Sequence, residues 1–130
     1  MSSNPLSVYE QQSKEFMSAR ELEASVLSKA GLKLKQVQDK WDTPEKDLLL
    51  DEAVRYNQKV WSFFQSELSM PDNPLPKKLR EDILNLSLFI DKRLFEVLAY
   101  PNDPSKLDIV ININFNLAAG LRTNPEAANP

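Results

Sequence analysis

The stretch IVININFNL, Ile109 to Leu117, decides the fold. Read in twos it is a β-strand, with Ile109, Ile111, Ile113, Phe115 and Leu117 on one face and Asn112, Asn114 and Asn116 on the other. Nothing else in the chain alternates in this way. A lone strand would have no partner for its backbone N–H and C=O groups, and the chain supplies none. Wound as a helix, the segment gathers Leu107, Val110, Ile111, Leu117, Ala118 and Leu121 into one stripe, started by Asp103-Pro104 and with Gly120 near its end. Asn112 and Asn116, four apart, then fall on the opposite face. The stretch therefore reads as a helix. Ile109, Ile113 and Phe115 flank the stripe and Asn114 lands inside it, so the helix is apolar around most of its circumference. Such a helix is either buried among others or open to a partner.

Prolines punctuate the rest. Thr43-Pro44, Asn73-Pro74 and Asp103-Pro104 each pair a good N-cap residue with a proline at the first helical position, where its missing N–H costs nothing. Ser18 and Glu21 in SARE fit a capping box. These marks predict helices near 6–16, 19–41, 44–69, 75–99 and 104–121. The equal spacing of the three caps is not a repeat, because Trp61, Asp91 and Leu121 occupy equivalent places and share no character. Apolar residues recur at steps of three or four: Leu22, Val26, Ala30, Leu34, Val37 and Trp41; then Leu49, Ala53, Tyr56, Val60, Phe63 and Phe64; then Leu79, Ile83, Leu86, Ile90, Leu94 and Val97. The expected fold is all-α, a single-domain bundle of about five helices with short Pro-containing turns over residues 1–121, followed by a disordered tail at 122–130.

Composition narrows the chemistry. The chain of 130 residues has no cysteine and no histidine, which removes thiol nucleophiles, Cys or His metal sites and the commonest general base. Its two glycines leave no phosphate-cradling loop. Adjacent carboxylates such as Asp51 with Glu52, or Glu81 with Asp82, diverge on a helix and form no acid/base pair. No enzyme activity and no cofactor are expected. The net charge of −3 argues against general nucleic-acid binding. Lys29, Lys33 and Lys40 share a face, and KKLR adds Lys77, Lys78 and Arg80, but no platform for stacking bases accompanies them, so a solvated charged face is the expectation. No run reaches the roughly 20 apolar residues of a membrane span. The first residues carry no basic start or apolar h-region, so a cytoplasmic location is expected.

The aromatic residues admit two readings. Trp61 and Phe64 are either core or anchors for a partner. Asn114 is either a buried amide that holds helix register, in which case leucine there should be tolerated, or a partner contact. Phe89, Phe95 and Phe115 widen the apolar arcs of their helices beyond what one set of neighbours covers. Phe115 and Phe89 are expected to share a surface closed by a helical partner.

Several segments resemble the FlaF family of flagellar biosynthesis regulators. SARELEASVLSKAGLKLKQVQDKWD is similar to the family's early helix. LLDEAVRYNQKVWSFFQSEL is similar to its Asn-x-x-x-Trp helix through Asn57 and Trp61. NPLPKKLREDILNLSLFIDK resembles its Asn-x-Leu-Pro-x-x-Leu-Arg segment at Asn73, Leu75, Pro76, Leu79 and Arg80. ININFNLAAGL resembles its closing motif at Ile113, Asn114, Asn116, Gly120 and Leu121, with Phe115 standing where the family commonly has arginine. The resemblance spans roughly residues 8 to 122. It implies a small, non-enzymatic cytoplasmic protein needed for flagellin production. Such a protein would bind flagellin as a chaperone or export adaptor, or connect flagellin supply to post-transcriptional control, on RNA directly or with an FlbT-like partner. Trp61, Phe64, Phe89, Asn114 and Phe115 are the candidate partner-binding residues.

Overall fold

The computed structural model describes residues 5–123, with side chains from Arg20 to Arg122. Helix α1 spans Pro5–Asp39, α2 Lys46–Leu68, α3 Lys77–Ala99 and α4 Asp108–Thr123, with a 3-10 turn at Pro104–Leu107 leading into α4. No strand occurs among the described residues, and IVININFNL lies wholly within α4. The architecture is all-helical, but with four α-helices rather than about five. The expected break at Ser18 is absent, and both early segments belong to one uninterrupted α1. A Ser-x-x-Glu pattern caps a helix only where the chain turns, and no proline follows Ser18 to force a turn. At the other end α4 runs on through Thr123, so residues 122 and 123 of the tail expected at 122–130 are helical, and the rest of it lies outside the described residues.

The turns show how the caps are spent. Thr43 Oγ1 donates to the Lys40 carbonyl (2.7 Å) and accepts from the Glu45 N–H (3.3 Å), so Pro44 and Glu45 complete a turn before α2 starts at Lys46. Asn73 Oδ1 accepts from the Leu75 N–H (3.0 Å) while its Nδ2 donates to the Glu67 carbonyl at the end of α2 (2.9 Å). This Asx turn shapes the α2–α3 loop instead of capping α3, which begins after Pro76. Only Asp103 caps as expected: its Oδ1 accepts from the Ser105 N–H (2.9 Å) and hydroxyl (2.8 Å), with Pro104 at the first position of the 3-10 turn. Gln38 Nε2, near the end of α1, donates to the Pro104 carbonyl (2.9 Å) and to Asp108 Oδ1 (2.6 Å), tying that turn to α1.

Packing follows the stripes. Leu27, Leu34 and Val37 from α1, Leu50, Val54 and Trp61 from α2, Ile90, Leu94 and Val97 from α3, and Leu107, Val110 and Ala118 form one buried core. Leu22, Phe63, Leu79 and Leu86, which fit the helical spacing, stand exposed instead. α1 lies along α4 and α2, whereas α3 packs on α2 and on the 3-10 turn. At the α1–α4 crossing Gly31 is buried, and a Cβ there would come 2.9 Å from Phe115 Cε1. A glycine in a helix interior costs about 1 kcal/mol relative to alanine, offset here by the ring that its missing side chain admits.

Candidate partner-binding cleft

The interior of the bundle carries a chain of polar side chains. Trp61 Nε1 donates to Asn114 Oδ1 (2.9 Å), Asn114 Nδ2 donates to Asn57 Oδ1 (2.8 Å), and Asn57 Nδ2 donates to the carbonyls of Ala53 (2.8 Å) and Ala30 (3.1 Å). All three side-chain partners are 0 % exposed. The chain links α1, α2 and α4 and satisfies the indole N–H and both amide groups. Removing a link would orphan a buried group at about 1–3 kcal/mol each. Asn114 thus holds two partners as well as its own amide, which argues against the expectation that leucine is tolerated there.

Beside this chain the bundle is open. Because α3 leans on α2 and the 3-10 turn, it leaves a cleft along α4. One hollow, of about 220 Å³, is lined by Leu27, Trp61, Phe64, Leu75, Ile83, Leu117 and Leu121, with Arg20, Glu23 and Glu67 among its polar residues. A second, more open hollow is lined by Leu86 and Phe89 of α3, Ile109 and Ile113 of α4, and Asp82 and Asn85. Along α4 the two are lined in succession by Ile109, Ile113, Leu117 and Leu121. Each step of four advances about 40° around a helix, so the row slants from the exposed flank toward the core. Ile109 is 43 % exposed and the other three are half-buried.

Burial in the mouth of the deeper hollow raises the Glu23 carboxyl above its ordinary range. The Arg20 cation opposes that shift and the Glu67 charge adds to it.

The candidate aromatic residues divide between these places. Trp61 and Asn114 belong to the interior chain, although Trp61 also lines the deeper hollow. Phe64 lines that hollow, its ring 5.9 Å from that of Trp61. Phe89 lines the outer hollow, with the Arg93 guanidinium 5.2 Å from its ring centre. Phe115 does not join Phe89: it packs over Gly31 on the α1 side of α4. Two positions along a helix are about 160° apart in direction, so Phe115 faces away from Ile113 and Leu117. Leu75, Ile83, Leu117 and Leu121 were missed as lining residues. The row Ile109, Ile113, Leu117, Leu121 stands at steps of four, but Leu117 and Leu121 also fit the core stripe of the same helix.

Charged groups outside the cleft are largely engaged. Lys77 and Lys78 pair with Glu81 (3.9 Å) and Asp82 (3.1 Å), and the Lys29 and Lys33 ammoniums lie 5.4 and 5.3 Å from the Tyr56 ring centre. No helix among the described residues is long and apolar enough to cross a membrane.

The family described as Flagellar protein FlaF matches residues 5–121, nearly the whole chain. The chain belongs to the FlaF family. Comparison with curated proteins and with solved structures returned no match. The FlaF-like residues of the sequence now have structural tasks. Asn57, Trp61 and Asn114 form the interior chain, Asn73 shapes the α2–α3 loop, Leu75 and Leu121 line the cleft, and Arg80 Nη1 reaches the Met70 carbonyl of that loop at 3.5 Å.

Proposed function

We propose that this protein binds flagellin as a chaperone or export adaptor, receiving an amphipathic helix in the cleft between α3 and α4. One observation carries the reading. A row of four apolar residues on α4, Ile109, Ile113, Leu117 and Leu121, faces Ile83, Leu86 and Phe89 of α3 across a gap. An amphipathic helix laid in such a groove buries side chains at i, i+4 and i+7, each worth about 1.5–3 kcal/mol. Membership of a flagellar family favours flagellin as that partner. No catalytic step is part of the proposal.

The competing reading is regulation of flagellin expression, on RNA directly or through an FlbT-like partner. The pairing of Lys77 and Lys78 with acidic neighbours favours the protein partner over direct RNA contact. Titration calorimetry against flagellin tests the proposal, with Ile109→Asp as the variant. Ile109 is 43 % exposed, so the melting temperature should hold while affinity falls at least tenfold. Equal affinity of the variant and wild type would remove the cleft from the account. Binding to RNA that weakens steeply with salt, without flagellin binding, would favour the regulator.

A further inference from the structure

The deeper hollow is apolar inside and acidic at its mouth. Leu27, Phe64, Leu68, Ile83, Leu117 and Leu121 supply its greasy surface, and its ionisable lining among the described residues is Glu23, Glu67 and Arg20. Glu23 is half-buried, and its ionised form is disfavoured by desolvation and by Glu67, with Arg20 opposing. Two carboxylates against one guanidinium leave this described part of the lining with a net negative charge. A further cation placed there would offset the desolvation penalty of the Glu23 charge and its repulsion from Glu67. None of the described residues lining the loop, α3 and α4 sides of this hollow is ionisable, so a cation on the occupant would complement the two carboxylates.

We propose that the helix received in the cleft carries a lysine or arginine beside one end of its apolar row, and that Glu23 and Glu67 take that cation. This rests on the cleft-binding reading above and deepens it: the apolar row sets affinity, and the acidic mouth sets the register and direction in which the helix enters. An uncharged or acidic side chain at that place is rejected, because it leaves the two carboxylates facing each other or adds a third.

The test uses the full chain and two probes. The first is a set of stapled helical peptides with leucines at i, i+4, i+7 and i+11 and, at either end of that row, lysine or its uncharged analogue norleucine. The second is flagellin. Binding is followed by tryptophan emission, since Trp61 lines the hollow. One lysine peptide should bind wild type about tenfold more tightly than its norleucine counterpart. Glu23→Gln combined with Glu67→Gln should abolish that preference, with cooperative melting of the variant showing that the fold is kept. Equal binding of the two peptides to wild type, a preference that survives the double substitution, or binding of neither peptide would overturn the proposal. A lysine preference without flagellin affinity would sink the flagellin assignment while the cation-reading cleft stands.

Discussion

Asn114 sits between two side chains that depend on it. The Trp61 indole can only donate, and Asn114 Oδ1 is its acceptor; Asn57 Oδ1 takes the other side of the amide. Asn114→Leu removes both at once inside a fully buried core, so it is expected to cost about 2–4 kcal/mol in denaturant unfolding. A variant as stable as wild type would show that the core relaxes enough to satisfy the orphaned groups. Gly31 answers to a different force. Alanine there improves helix propensity by about 1 kcal/mol, but its Cβ meets the Phe115 ring at 2.9 Å, and overpacking costs about 1–3 kcal/mol. Gly31→Ala should therefore destabilise on balance, and Phe115→Leu in the same chain should recover the loss. A double-mutant cycle measures the coupling, and additive effects would mean that the ring simply tilts away.

Among the elements, the entry to α4 depends on Asp103. The Ser105 hydroxyl and then the Ser105 N–H, both donating to its carboxylate, hold its pKa below the usual 3.8; desolvation opposes them, and Lys106 adds the smallest lowering effect. A carboxyl with a depressed folded-state pKa stabilises the fold above its unfolded pKa. That contribution is lost as pH falls through the lower, folded value. Asp103→Ala should lower the melting temperature at pH 7 and converge with wild type in acid below both values; a constant gap down to that pH would point to packing instead. The three proline-marked starts read alike in sequence yet differ here. Asp103 caps a turn that continues into a helix, whereas Thr43 and Asn73 are taken up by the Lys40 carbonyl and by the Glu67 carbonyl and Leu75 N–H.

At the scale of the whole molecule, the fold gives up stability at the cleft. Apolar rows on α3 and α4 are left partly open, and Glu23 is held where its charge is disfavoured. A carboxyl with a raised folded-state pKa destabilises the fold above that pKa, and the penalty fades as pH falls through it toward the unfolded value near 4.5. Glu23→Gln is therefore expected to raise the melting temperature at pH 7, with the gain vanishing as pH falls to about 4.5 and below. A gain that persists in acid would assign the effect to packing. If the same substitution also weakens a lysine-bearing helix, the penalty is a trade made for binding.

Helicity, the positions of α2, α3 and α4 within a few residues, and the outward Asn112 and Asn116 were legible from spacing and prolines, because those signals are local. So was the apolar excess of IVININFNL. What only the tertiary structure decided is how that excess is divided. In a helix, residues two apart point nearly opposite ways. The alternation therefore splits: Ile109, Ile113 and Leu117 face the cleft, Ile111 is buried in the core, and Phe115 packs toward α1, where Gly31 makes room for the ring. Asn114 lies between these two flanks, among Val110, Ile111 and Ala118, facing Trp61 and Asn57 from a helix 53 to 57 residues away in sequence. No local pattern can encode which of two apolar flanks finds a neighbour. That follows from where α1 and α3 come to lie, and α3, resting on α2 and the 3-10 turn, leaves one flank open.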